Sequence, residues 1–137
     1  MDSRIAAIDY GLKRIGIALS DASGRMAFPL TTVEGGRKAV AHVAKALEDK
    51  KKEIVRILVG HPLLLNGQEG EMALAARKFA LELETVMGIP TELWDERLSS
   101  AQANRSLREQ SLNRKERSAK IDAAAAALLL QTYLDSR

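Results

Sequence analysis

Apolar and polar positions change rhythm along the chain, and each rhythm predicts an element. Ile5-Ala6-Ala7-Ile8 is apolar without alternation, as in a strand buried on both faces, and predicts a strand from Arg4 to Asp9. Tyr10 to Lys13 contains Gly11 and reads as a hairpin turn. Arg14 to Ser20 alternates Ile15, Ile17 and Leu19 with small residues, a second strand. After the turn at Asp21-Ala22-Ser23-Gly24, a third strand is expected over Met26 to Val33. Its Pro29 removes a backbone donor and pushes it toward a sheet edge.

Beyond Gly35-Gly36 the period becomes helical. Val40, Val43, Ala44 and Leu47 mark a helix to about Lys51, and Ile54 to Gly60 reads as a strand. A loop with Pro62, Asn66, Gly67 and Gly70 leads to a helix over Glu71 to Met87. Leu74, Phe79, Leu83 and Val86 form its expected inner face, and Gly88 stops it. Ile89 to Trp94 is a fifth strand. Ser99 and Gln102 have capping-box spacing for a further helix. Ser111 to Arg117 reads as a polar, basic loop, and Ala119 to Leu134 as a nearly all-apolar, buried helix. Three hairpin-linked strands followed by strands alternating with helices imply an α/β fold. Its mixed five-stranded sheet, antiparallel over the first three strands, carries helices on both faces.

Length and composition add bounds. The 137 residues suit one domain spanning 1–137, and a domain of that size buries roughly two thirds of its unfolded surface. The absence of cysteine excludes a disulfide scaffold and thiolate metal sites, and fits a reducing compartment. Met1-Asp2-Ser3-Arg4 opens no signal-peptide pattern, and the longest apolar run, Ala123 to Leu130, is too short to span a bilayer. A cytoplasmic location and no membrane partner are expected, while the oligomeric state is open.

The net charge of +3 is unevenly placed. Six basic residues (Arg105, Arg108, Arg114, Lys115, Arg117, Lys120) and two acids between 105 and 120 give +4, leaving −1 for the other 121 residues. Such a stretch suits a polyanion, although a solvated helix face and loop would look the same.

Three acidic positions interrupt apolar surroundings. Asp9 directly follows the first buried strand, where a carboxylate is costly unless it binds a cation or accepts several donors. It could instead only open the turn. Asp95-Glu96-Arg97 ends the fifth strand. Side chains alternate there, so one acid should face the cleft, Glu96 by its longer reach or Asp95 as the alternative. Asp122 is expected in the first turn of the last helix, where the macrodipole alone would favour it. Open α/β sheets gather their sites at the carboxyl ends of strands, and acids collected there repel unless cations bridge them. Oxygen-only ligands favour Mg²⁺ or Mn²⁺, and two such ions about 4 Å apart can activate water and stabilise the leaving oxygen of a phosphodiester. Asp9, Glu96 and Asp122 are therefore the candidate catalytic residues and metal ligands. The candidate nucleic-acid contacts are Lys13, Arg14, Arg97, Arg114, Lys115 and Arg117. His61 is either a proton shuttle or a loop residue that another side chain could replace, and His42 reads as surface.

Five stretches in order carry a resemblance over the whole chain. They are Ile8-Asp9-Tyr10-Gly11-Leu12-Lys13-Arg14-Ile15-Gly16-Ile17-Ala18-Leu19-Ser20-Asp21, Gly60-His61-Pro62-Leu63, Asn66-Gly67-Gln68-Glu69-Gly70, Asp95-Glu96-Arg97-Leu98-Ser99-Ser100 and Lys120-Ile121-Asp122-Ala123-Ala124-Ala125. Each is weak alone. Together they resemble the YqgF family of pre-16S rRNA processing nucleases, also described as Holliday junction resolvases. The resemblance implies a ribonuclease H-like fold of strand order 3-2-1-4-5, with the family's acids falling on Asp9, the Asp95-Glu96 pair and Asp122. It also implies maturation of the 16S rRNA 5′ end in the cytoplasm, with pre-rRNA as partner, or branched DNA in the competing description. The chain departs from the family at His61, where Leu is expected, at Leu64-Leu65 in place of a more polar loop, and at Ser99-Ser100 for two threonines. These departures bear on substrate choice. Two other classes fit less well: an ATPase of the sugar-kinase and chaperone type, which would need a second lobe, and a non-catalytic RNA-binding assembly protein.

Overall fold

The computed structural model describes residues 3–98 and 115–137, with the backbone alone at 98 and 115–120. Five strands, β1 (Arg4–Asp9), β2 (Arg14–Ser20), β3 (Ala27–Glu34), β4 (Ile54–His61) and β5 (Thr91–Asp95), form one sheet in the order β3-β2-β1-β4-β5. β1 pairs antiparallel with β2 and β2 with β3, whereas β1–β4 and β4–β5 are parallel. This is the topology expected of the ribonuclease H-like fold. Pro29 lies on the edge strand, where β2–β3 pairing shifts register between Ile17 and Ala18. The edge is where a missing N–H costs least.

Among the described residues, three α-helices cover the sheet: α1 (Ala39–Leu47), α2 (Glu71–Met87) and α3 (Lys115–Asp135). Residue parity assigns the faces. Ala6, Ile8, Ile15, Ile17, Ile57 and Val59 pack against α1 and α2. Ile5, Ala7, Ala18 and Leu58 pack against Ala126, Leu129, Leu130 and Leu134 of α3. Burying each large aliphatic side chain contributes roughly 1.5–3 kcal/mol. The central strands, apolar at every position, therefore have no solvent-facing side. Gly88 ends α2 in the left-handed conformation at φ +68°, donating to the Glu84 carbonyl at 2.8 Å.

The helices differ from the sequence expectation in three ways. The inner face of α2 is Ala73, Ala76, Phe79, Ala80, Leu83 and Met87, while Leu74 and Val86 are 54% and 57% exposed. Small alanines let the helix settle close to the sheet, which rotates the larger residues outward. α3 is buried along one face only, with Leu128 exposed. It also begins at or before Lys115, so Lys115 to Arg117 is helical and not a loop; Lys, Glu and Arg are good helix formers and carry the helix beyond its apolar stretch. The helix expected from Ser99, the loop residues 111–114 with Arg114, and Arg105 and Arg108 lie outside the described residues.

Candidate active site

Strand parity also places the acids. Ile5 and Ala7 face α3, so Asp9, two residues on, faces it too. It is 3% exposed at the end of the central strand. Asp9 pairs across β2 with Gly16, and the parallel register that matches Ile8 to Val59 brings Gly60 beside it on β4. Asp9 thus sits between two glycines, and each glycine lies beneath one of the other acids.

Glu96 opens a short 3₁₀ turn, Glu96–Leu98, immediately after β5. A Cβ at position 60 would overlap Glu96 Oε1 and stand 3.0 Å from its carboxyl carbon. The carboxylate therefore occupies the space that Gly60 leaves, and Glu96 is completely buried. The strand alternation invoked for this pair does not apply, because β5 stops at Asp95. Asp95 instead takes a fork from Arg97, with Nη2 at 2.8 Å and Nε at 3.1 Å, and this bonding holds its carboxyl below the usual range.

Asp122 is brought in by α3. A side chain at Gly16 would overlap the Asp122 carbonyl, so glycine is what lets this turn of the helix lie on β2. Asp122 is 5% exposed and stands two turns into α3, not in its first turn as the sequence suggested, so the helix dipole does not account for it. Arg14, two residues before Gly16 on the same face, donates from Nε to Asp122 Oδ2 at 3.0 Å.

The site gathers acids at the carboxyl ends of β1 and β5 under the third turn of α3. Asp9, Glu96 and Asp122 offer oxygen donors only, a set that suits a hard divalent cation and not zinc. As the side chains stand, no group of three or more His, Cys, Asp or Glu among the described residues is placed to hold a metal ion.

The opposite face carries other ionisable groups. His61 is the last residue of β4, only 9% exposed, and its Nε2 lies 2.9 Å from Glu69 Oε2. Glu69 also receives a fork from Arg77, at 2.9 Å from both Nε and Nη2. These contacts, Arg77 first and His61 second, hold the Glu69 carboxyl low. His61 therefore ends a strand instead of lying in a loop, and the sheet separates it from Asp9, Glu96 and Asp122. Tyr10 stacks on Phe79 on this face at 4.8 Å, and burial, with Glu82 nearby, pushes its hydroxyl up.

Of the cations proposed for nucleic acid, Lys13 is exposed on the turn between β1 and β2. Arg14 and Arg97 are engaged by Asp122 and Asp95. The glycines that make room were missed in the sequence. Gly16 and Gly60 each sit on a strand interior where an apolar residue is expected, and that interruption was the available signal.

A family model described as RuvX, Holliday junction resolvase, matches residues 3–136. A protein of Protochlamydia amoebophila named "Putative pre-16S rRNA nuclease" is 45% identical, covering 98% of this chain and 95% of its own. Relatives of the same name from Anaeromyxobacter dehalogenans (42%, 98% of each chain) and Chloroflexus aurantiacus (38%, 99% and 89%) are also similar. Among solved structures, T. thermophilus RuvC in complex with a Holliday junction substrate aligns with a TM-score of 0.56 over 98% of this chain and 95% of its own. At 16% identity it supports the fold alone.

Proposed function

The chain belongs to the RuvX family of Holliday junction resolvases, and from that membership we propose that it hydrolyses phosphodiester bonds with divalent cations held on Asp9, Glu96 and Asp122. It is a nuclease, a hydrolase acting on nucleic acid. One observation carries the assignment of the site. Asp9, buried at the end of the central strand, lies between Gly16 and Gly60, and each glycine is overlain by a residue bearing another buried acid. Burying three carboxylates together is expensive without cations to offset them. A core built for packing would place apolar side chains there. Mg²⁺ or Mn²⁺ bound to these oxygens would neutralise the attacked phosphate and activate the attacking water.

The protein's own residues have defined parts in this reading. Asp9 is fixed by the strand and Glu96 by the space above Gly60. Asp122 rides on α3, whose approach Gly16 permits. Lys13, Arg14, Arg97 and Arg114, with Lys115 and Arg117 in the first turn of α3, supply positive charge for the backbone phosphates. The names of the relatives, at up to 45% identity over nearly full length, favour a structured ribosomal RNA precursor, with 5′-end maturation of pre-16S rRNA in the cytoplasm as the role. The family description and the junction-bound fold neighbour favour branched DNA as a second reading.

Purified protein incubated with a pre-16S 5′-leader RNA and a four-way DNA junction, with and without Mg²⁺ or Mn²⁺, separates the two. RNA cleavage that requires metal, and that disappears in Asp9→Asn while the circular dichroism spectrum is unchanged, is the expected result. Junction cleavage alone selects the second reading. Binding without cleavage under every metal condition identifies a non-catalytic RNA-binding protein, and full activity in Asp9→Asn refutes the site.

A further inference from the structure

We propose that Leu65 is a wedge that reads an unstacked step in the RNA substrate, a bulge or the junction of a helix with a single strand. The role presupposes the nuclease activity proposed above.

Leu64-Leu65 replaces the more polar loop expected of the family. Among the described residues Leu65 is the most exposed large apolar side chain, at 90%. A lone exposed leucine needs no explanation on most surfaces. This one is presented by a turn built to hold it out. The Leu64 amide donates to the Gln68 carbonyl at 2.9 Å, and the Gly67 amide to the Leu64 carbonyl at 2.8 Å. Gly67, at φ +84°, takes the left-handed conformation that closes such a three-residue loop. The Asn66 side chain accepts from the Gln68 amide at 3.0 Å. Leu64 turns back over Gly70, where a Cβ would stand 3.2 Å from it. One leucine therefore braces the loop and the other is offered to solvent.

The turn stands just beyond the carboxyl end of β4, at the end of the sheet that carries the acids. Arg97 fastens it there. Its Nη1 donates to the Leu65 carbonyl at 3.4 Å, and a Cβ at Gly67 would lie 3.6 Å from the same nitrogen. Arg97 is itself forked on Asp95 and directly follows Glu96 in the chain. Exposed Lys13, on the turn after β1, adds positive charge at this end of the sheet. Chemistry then selects the occupant. A leucine side chain can bond neither a base edge nor a phosphate, but it can fill the gap between two bases, as apolar wedges do. Opening that gap costs least where the stack is already broken. A turn fixed by its own bonds also loses little freedom on docking. A protein partner would call for a wider apolar patch, whereas Leu65 is followed by Asn66, Gly67 and Gln68.

The test compares wild type, Leu65→Ala and Leu65→Phe on two RNAs: an unbroken duplex, and the same duplex with a bulged nucleotide beside a 2-aminopurine, whose fluorescence rises on unstacking. Affinity and fluorescence are read without metal, and single-turnover cleavage with Mn²⁺. Wild type should bind the bulged RNA more tightly than the unbroken one and raise its fluorescence. Leu65→Ala should lose roughly fivefold in affinity for the bulged RNA, the lower end of what a side chain against one base is worth. It should leave the unbroken duplex unchanged and give no fluorescence rise, whereas Leu65→Phe should keep both properties. Equal loss on the two RNAs overturns the wedge and makes the turn a general contact. Metal-dependent cleavage by wild type, with Leu65→Ala indistinguishable from it in affinity and fluorescence, sinks the wedge alone. A wild type that neither binds nor cleaves either RNA overturns the wedge together with the RNA nuclease reading.

Discussion

The two faces of the sheet handle charge in opposite ways. On the α3 face, three buried carboxylates gather, and Asp122 accepts one bond from Arg14 Nε. On the α2 face, Glu69 is shared by His61 and a forked Arg77, and Asp95 is closed by a forked Arg97. The second arrangement is balanced within itself and joins the 62–70 loop to the strand ends, with Arg97 also reaching the Leu65 carbonyl at 3.4 Å. The first gathers three acids, and folding buries carboxylates together only at some cost. A neighbouring pair of acids in sequence, Asp95 and Glu96, falls one on each side of this division.

The largest expected effect tests that division directly. Glu96→Gln should lower the cleavage rate roughly 10²–10³-fold, the scale of removing one preorganised electrostatic contact. Asp95→Asn, on the balanced side, should stay within about threefold of wild type. Single-turnover rates with saturating metal measure both. A greater loss in Asp95→Asn would exchange the roles of the two acids, and no loss in either would remove this turn from the site.

The next variant attacks the room rather than the charge. Gly60→Ala places a methyl where Glu96 Oε1 now lies. It should cost about 1–3 kcal/mol of stability, as overpacking of a filled site does. Activity should fall with Glu96 displaced, though less completely than when its charge is removed. Chemical denaturation and the cleavage assay are read on the same preparation, and a Gly60→Ala protein with normal stability and rate would show that Glu96 has another place to go.

Smaller effects belong to the balanced face. Glu69→Gln should leave the cleavage rate nearly unchanged while lowering the thermal midpoint. Its carboxyl is held below the ordinary value by Arg77 and His61, so its contribution is complete above the unfolded pKa and disappears as pH falls through the lower folded one. The difference in midpoint between wild type and Glu69→Gln should therefore be present at pH 7 and begin to close below about pH 4. A difference that does not shrink as the pH falls through the acid range would place the effect elsewhere than in this charge.

The smallest effect lies in the β2–β3 turn, remote from both clusters. Asp21 accepts from Ser23 and from the Arg25 and Met26 amides, and its carboxyl is lowered to about 2. Asp21→Ala should lower the thermal midpoint slightly at neutral pH, and the gap should shrink only as pH falls from about 4 toward 2. Cleavage should be untouched. A loss of activity would mean that the hairpin communicates with the acids through β2.

The sequence by itself determined the elements and much of the topology. Unbroken apolar runs at Ile5 to Ile8 and Ile57 to Val59 read as strands covered on both sides, and Pro29 belongs on an edge. It also singled out Asp9 and Asp122, because a carboxylate among apolar neighbours is visible as a break in a local pattern. What the sequence left open depends on contacts between residues far apart. The choice between Asp95 and Glu96 turns on the space above Gly60, more than thirty residues away, and no periodicity around position 96 carries that information. The inner face of α2 was set by how closely alanines let the helix approach the sheet. Arg14 on Asp122 spans 108 positions. His61 gained a role because Glu69 and Arg77 fold back onto the end of β4. Local pattern determines which elements form and which faces are apolar, whereas the partner of a buried charge is chosen only when packing brings distant chain segments into the same few ångströms.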